Sequence, residues 1–301
     1  MGVVLPVLFA LFAALSNALA TVLQRRAALT VPQSKGFRFG LVLDLLRRPV
    51  WVAGILAVIA AGVGQAAALA TGALVLVQPL FVLELPLALL IASLLTRRRL
   101  PGALWLAVAG VVAGLGVALA AAAPAGNRTH VPVDRWVPAL AVCAAVVAGL
   151  AVAGLRRPPG AAPGGGGGGG GRPRRRARAR GGRGGAATAV CYALTAALMK
   201  HSVYVLTENG IVGFLTAWQT YAFGATGICA LLLLEHAMQG GPLVASQPAL
   251  TLGDASVSIA LGVALYEEHL RAGWWLLPQL LGVALICAGV VALARAGTGA
   301  P

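Results

Sequence analysis

Nine apolar runs of about twenty residues follow one another along this chain, at 3–24, 50–71, 73–95, 103–123, 136–155, 186–206, 210–234, 242–265 and 273–295. A run of that length crosses ~30 Å of hydrocarbon as one helix. A helix satisfies every backbone N–H and C=O within the segment, as lipid requires. The ten-residue alternation of barrel strands is absent. The fold class is therefore an all-α polytopic membrane protein. Charged residues make up only 10% of the chain, against ~25% in a soluble domain, too few to cover a water-facing surface. Runs two and three are nearly continuous, and a tight turn near Gly72 must divide them. The first run resembles a signal peptide, but it lacks a basic start and ends in Arg25 and Arg26, so it reads as the first membrane helix.

The basic residues fix a sidedness. The loops at 25–49 and 96–102, the segment 156–185 and Arg295 carry nineteen of the 23 Lys and Arg. With nine spans, all of these lie on one side. The other side receives Arg128, Arg135, Arg271 and Lys200. Short cytoplasmic loops carry the excess of Lys and Arg. The N-terminus is thus expected outside and the C-terminus in the cytoplasm of a multi-pass plasma-membrane protein.

The same argument disposes of the nucleic-acid reading that a net charge of +15 invites. The stretch "GGGGGGGGRPRRRARARGGRGG" (164–185) joins two spans on the basic side. It is expected to be a disordered cytoplasmic linker whose arginines meet anionic lipid headgroups. Nucleic acid is not an expected partner. Cys143, Cys191, Cys229 and Cys287 fall in four separate apolar runs without zinc spacing, and read as small buried residues.

The chain also repeats itself. "ALSNALATVLQRR" (14–26) aligns without gaps to "AVCYALTAALMKH" (189–201), and "GALVLVQP" (72–79) to "GPLVASQP" (241–248). After a one-residue insertion, "LLTRRRL" matches "ALYEEHL". Both copies end in Gly-Val-rich helices, "GVVAGLGVALA" and "GVALICAGVVALA". Spans 1–4 and 6–9 form the two copies, five spans apart, so they cross the membrane in opposite directions. Inverted repeats of this kind typify secondary transporters, whose substrate site lies near the bilayer midplane. The expected organisation is a first transmembrane repeat at 1–123, a connecting transmembrane helix at 124–155, a Gly/Arg-rich linker at 156–185 and a second repeat at 186–301.

These residues resemble a known family. The Gln-Pro helix, the "YEEHL" turn (Tyr266–Leu270) and the closing "GVALICAGVVAL" are similar to the end of an EamA-type repeat of the drug/metabolite transporter superfamily. That family has two five-helix halves, and this chain has one helix fewer in its first half. The nine-helix plan, with "RRPVWVAGILAVIAAGVGQAAALATGALVLVQPL" (47–80), is similar to the NIPA-type branch proposed to carry magnesium. The resemblance implies transport by alternating access. In the first repeat Arg97–Arg99 stand where the family often has a glutamate, so no role for that glutamate carries over to this half.

Charge inside a span is costly, ~2.5–3.5 kcal/mol at the helix centre, so intramembrane acids mark function by default. Glu84 and Asp254 sit mid-span at equivalent repeat positions. A carboxyl there can bind and release a coupling proton. Alternatively, the pair can hold a hard divalent cation with backbone oxygens, or simply pin helices together. Gln78 and Gln247 share a repeat position and are candidate substrate contacts. Pro79, Pro86 and Pro248 are candidate helix breaks whose freed carbonyls can line a cavity.

Lys200 is a candidate counter-ion or anion-binding group, or a side chain snorkelling to headgroups. Asn17, Gln65, Tyr192, Trp218, Gln219 and Tyr221 are candidate cavity lining. Glu267, Glu268 and His269 read as an exposed turn, or as a mouth that collects metal. No Walker, zincin or Ser/His/Asp arrangement appears, so no catalysis and no cofactor are expected. The expected partners are a small-molecule or ion substrate and membrane lipids; a homodimer is compatible with such a chain. A non-transporting scaffold or lipid-handling protein is the reading from a different class.

Overall fold

A computed structural model describes residues 3–29, 49–97, 101–126, 128–155, 171–240 and 243–297. Among these the chain is helical: α1 (Val4–Leu29), α2 (Pro49–Thr71), α3 (Leu74–Leu80), α4 (Glu84–Thr96), α5 (Gly102–Ala122), α6 (Val133–Leu155), α7 (Gly171–Thr216), α8 (Trp218–Gly240), α9 (Leu243–Tyr266) and α10 (Leu276–Gly297). Helix α3 and helix α4 are one span, joined by a single 3-10 turn at Phe81–Leu83. The loop regions meet once in an isolated antiparallel bridge, Ala125 with His269.

Eight of these helical segments are long and apolar enough to cross a membrane. Their outward faces carry large apolar side chains such as Leu56, Leu106, Val142 and Leu281, the inverse of a water-soluble surface. The protein is an all-α polytopic membrane protein on that ground.

The sixth and seventh runs divide where expected: two helices meet at Gly210 (φ 66°, ψ −168°), which is itself non-helical, a conformation open to glycine but strained for other residues. A further interruption falls at Ala217, and Trp218–Leu234 is a shorter apolar helix. Two expectations need correction. Within the proposed disordered linker, residues 156–170 lie outside the described residues, but α7 is helical from Gly171. Pro248 is no helix break, since α9 runs unbroken through it.

The core is made by small residues that let helix backbones approach. Helix α1 packs on α2 and α4, α7 on α8 and α9, and α5 on α10. The last pair is the tightest. A Cβ on Gly114 would lie 2.7 Å from the Gly282 carbonyl oxygen, and one on Gly282 would lie 2.6 Å from the Gly114 oxygen. The two glycines face each other from the Gly-Val-rich helices that close the two sequence repeats.

Two sets of contacts define the ends of the bundle. At one end, Ala125 and His269 exchange backbone hydrogen bonds, and the Arg271 N–H donates to the Ala122 carbonyl. At the opposite end, Arg26 donates to the Leu95 carbonyl at 2.7 Å and Arg183 to the Ala153 carbonyl at 3.0 Å. The first end collects the loops after α5, α7 and α9, and the second the ends of α1, α4 and α6.

Candidate functional site

The span formed by α3 and α4 tightens into a 3-10 turn at mid-depth. Pro79 has no N–H to continue the α-helical ladder, and Pro86 leaves the carbonyl four residues earlier without its usual partner. Between them Phe81–Leu83 tightens into a 3-10 turn, and α4 restarts at Glu84. Pro86 is tolerated because it lies in the first turn of α4. Glu84 is ten residues past the start of α3, or about 15 Å along the axis, half the ~30 Å of a bilayer core.

Four of the sequence candidates gather at this break. The Asn17 amide donates to Glu84 Oε2 at 2.7 Å. Asp254 lies within electrostatic reach of Glu84, and Tyr192 within reach of both acids. The buried Ser258 hydroxyl stands 3.5 Å from Asp254 Oδ1, at the limit of a hydrogen bond. Both acids are half-buried. Asn17 and Tyr192 occupy the same column of the first repeat alignment, and Glu84 and Asp254 the same column of the second.

Lys200 belongs to a different constellation. Its Nζ lies 2.6 Å from Glu268 Oε1, and both side chains are fully buried. It does not snorkel. The same carboxylate accepts the Leu74 N–H at Oε1 and the Val75 N–H at Oε2, each at 2.7 Å. The next two N–H groups of α3, on Leu76 and Val77, donate to the Ala73 carbonyl. Leu74, Val75 and Leu76, three of the four N–H groups that a helix start leaves without partners, are therefore satisfied. The cap comes from a residue almost two hundred positions away, and its negative charge suits the positive end of the helix dipole. Lys200 also stands 4.6 Å from the centre of the Tyr266 ring, whose hydroxyl donates to the Ala197 carbonyl.

This corrects the reading of Glu267, Glu268 and His269 as one exposed turn. Glu267 takes a left-handed conformation (φ 51°) after the end of α9, and the Glu268 N–H reaches back to the Gly262 carbonyl at 3.1 Å, closing the helix end. The chain reverses, and Glu268 turns into the bundle. Gly262 makes room: a Cβ there would meet Glu268 Oε2 at 2.6 Å. His269 stays exposed.

Glu267 remains in the loop, paired with Arg128 at 2.7 Å and with Arg135. The hydrogen bond from Arg135, followed by the charges of Arg128, Arg135 and His269, holds its carboxyl below the ordinary value. A carboxyl with a depressed folded-state pKa stabilises the fold above its unfolded pKa, ~4.3 for Glu, and loses that contribution as pH falls through the folded value. The Glu267→Gln variant should melt slightly below the native protein at pH 7. The gap should close below about pH 4, in differential scanning calorimetry of the detergent-solubilised protein.

The remaining candidates separate. Gln78 is buried in α3, and its amide nitrogen has no hydrogen-bond partner among the described residues. The side chain of Gln247 lies outside the described residues. Gln65 is half-buried on α2. Gln219 is buried near the start of α8, while Trp218 joins an aromatic group there and edge-contacts Trp136. Tyr221 is exposed and donates to the Leu215 carbonyl. No group of three or more potential metal ligands occurs among the described residues. Cys143, Cys191 and Cys229 do not lie apart: they line one apolar groove of about 460 Å³ between α6, α7 and α8.

Fold and site together define a polytopic all-α membrane protein with a polar centre beside a 3-10 turn in one span. The chain is 28% identical over 300 residues to a protein of Corynebacterium glutamicum described as uncharacterized, spanning 98% of this chain and 96% of that one. No family model and no solved structure matches it.

Proposed function

We propose that this protein is a secondary transporter of the drug/metabolite superfamily, carrying a small solute across the plasma membrane by alternating access, with a coupling proton or cation handled at Glu84 and Asp254. One observation carries the reading. Two acids at matched repeat positions, one accepting from Asn17 and the other beside Ser258, lie within electrostatic reach of each other at a 3-10 turn near mid-depth. Ionisable groups inside a span are costly and mark ion and proton pathways. Transporters place substrate and ion sites near the midplane.

Other features support two inverted four-helix repeats. Arg97 (φ 54°) and Glu267 (φ 51°) share both an alignment column and a left-handed conformation. Packing of α1 on α2 and α4 is matched by packing of α7 on α8 and α9, and α5 meets its counterpart α10. Counting Trp218–Gly240 as a crossing gives nine spans. The end holding Glu268 then faces outward, and the arginine-rich end faces the cytoplasm. A reporter fused within 156–170 should be active only as a cytoplasmic fusion; activity on the outer side would reverse the whole topology.

The Asn17 amide at Glu84 and the serine hydroxyl near Asp254 favour proton exchange over a bare divalent-cation cage, whose acids would face the metal. The test is a solute screen with purified protein in liposomes, with and without an imposed pH gradient. Uptake of one solute class that follows the gradient supports the proposal. Electrogenic, pH-insensitive magnesium flux replaces it with a NIPA-like permease. The absence of any solute flux favours a scaffold or lipid-handling protein.

A further inference from the structure

The two halves of the third span are packed differently. Every residue of α3, Leu74–Leu80, is buried, and α3 packs on both α7 and α9 of the second sequence copy. Of α4 only Pro86 is buried, and α4 packs mainly on α1 of its own copy. The change falls at the 3-10 turn beside Glu84. The outward half of this span is sealed between the two copies, and the cytoplasmic half is not. Asn17, Glu84, Tyr192 and Asp254, all half-buried, lie where the sealed half ends.

The seal has a chemical fastening. Glu268 of the second copy holds the Leu74 and Val75 N–H groups of the first at 2.7 Å. It is itself held by Lys200 at 2.6 Å, with neither side chain exposed. Gly262 brings the α9 backbone to the same point: a Cβ there would meet Val75 Cγ2 at 2.5 Å and Glu268 Oε2 at 2.6 Å. Farther out, the Ala125–His269 bridge, the hydrogen bond from Arg271 to Ala122 and the pairing of Glu267 with Arg128 and Arg135 tie the loop after α9 to the segment after α5. Drawing α3 away from α9 would strand a carboxylate and two amides unless water entered with the movement. Such a contact has two stable arrangements, closed and dry or open and wet.

The repeat makes the fastening one-sided. In the repeat alignment Lys200 shares a column with Arg25, and Glu268 shares one with Arg98. This is a comparison of sequence alone, since Arg98 lies outside the described residues. Where the second copy has opposite charges, the first has two cations. They cannot pair, and no acid stands in the Glu268 column to cap the counterpart helix. An inverted repeat exchanges the two faces of the membrane, so the cytoplasmic end lacks the residues for the same closure.

We propose that the Glu268–Lys200 cap on α3 is the outer lock of the alternating-access cycle. It sets the resting state, closed to the outside, with the acid site reached from the cytoplasm. Opening means that the carboxylate leaves the two amides, α3 and α9 part, and Glu84 is reached from outside. The cycle rests on the transporter reading; the resting closure does not.

Cysteine labelling of the full chain in cells tests the lock. Gln78→Cys puts a thiol at a buried position of α3, four residues inside the cap. Asn17→Cys puts one at the acid site. The probe is a membrane-impermeant maleimide, applied to intact cells or to inside-out vesicles, and the native chain gives the background from its own four cysteines. With the lock intact, neither thiol should label in intact cells, and Asn17→Cys should label in the vesicles. Adding Lys200→Met with Glu268→Gln, or Gly262→Ala alone, should raise the outside labelling rate of Gln78→Cys by about tenfold or more, as a minor open state becomes a major one. The first change removes both charges. The second keeps them and wedges a methyl group against the carboxylate. One of the two with a native-like melting curve suffices.

Unchanged outside labelling in a folded lock variant would make the cap purely structural and overturn the proposal. So would outside labelling of either thiol with the lock intact, or no labelling of Asn17→Cys in the vesicles. Lock-dependent labelling in a protein that carries no solute in liposomes would keep the resting closure and remove the transporter reading. Solute flux with labelling indifferent to the lock would do the reverse.

Discussion

Liposomes containing the Glu84→Gln, Asp254→Asn double variant should show solute flux indistinguishable from empty liposomes, a fall of about 100-fold or more, the scale on which loss of a proton-transferring side chain acts. The substitutions are close to isosteric. The new amide at position 84 would still accept the hydrogen bond from Asn17, and the one at position 254 would still reach Ser258. Neither amide could take up or release a proton, and neither could neutralise a cation. A purely structural role predicts the opposite pattern, because neutral amides are cheaper than carboxyls in an apolar bundle. The variant would then melt at or above the native temperature and transport normally. Full flux with a native melting curve would end the assignment of these residues. Each single variant is expected to lose most but not all flux, since the partner acid remains.

The second large effect concerns stability. Lys200→Met removes one half of a fully buried ion pair and leaves the Glu268 carboxylate without its cation. Breaking such a pair from one side costs about 3–5 kcal/mol. The melting temperature should fall by on the order of 10 °C. The Lys200→Met, Glu268→Gln double variant should regain most of that loss, because no charge is then stranded, although the cap on α3 weakens. Fluorescence-detected thermal melts of the three proteins in detergent settle the comparison. Equal melting temperatures for the native protein and Lys200→Met would show that the pair contributes nothing net.

Sequence reasoning reached the crossing helices because lipid imposes one crude requirement, length of apolar chain, and α2, α5 and α10 obey it almost to the residue. It also reached the break at Gly210, between the sixth and seventh runs; the second interruption at Ala217 depends on a local conformational choice that no sequence pattern marks. Glu84 and Asp254 were legible as charges mid-span, but Asn17 and Tyr192 stood only among several polar residues on other runs, and packing alone brings them beside the acids.

The Glu268 cap was not legible in the same way. Its donors, Leu74 and Val75, are backbone groups that no side-chain pattern reveals, and the left-handed turn at Glu267 decides which of two adjacent glutamates faces inward. A weak signal did exist: Gly262 lies one and a half turns before Glu268 and leaves space beside it. The partnership of His201 with Trp136 joins α7 to α6, the connecting helix, and Trp136 has no counterpart in the repeat alignment, so the alignment could not have paired them.

The distant cap on α3 also has a consequence for biosynthesis. Leu74 and Val75 are separated from their acceptor by 194 and 193 residues. When the first four spans leave the ribosome, the mid-protein helix that carries the broken turn still has two bare amides at its leading end. They stay open through the synthesis of α6, α7, α8 and α9, and close only when residue 268 arrives with Lys200 already in place. The amino-terminal half is thus an unfinished intermediate whose last connection is made from the carboxy-terminal half. Lipid headgroups, water or an insertion chaperone must occupy that helix end in the meantime.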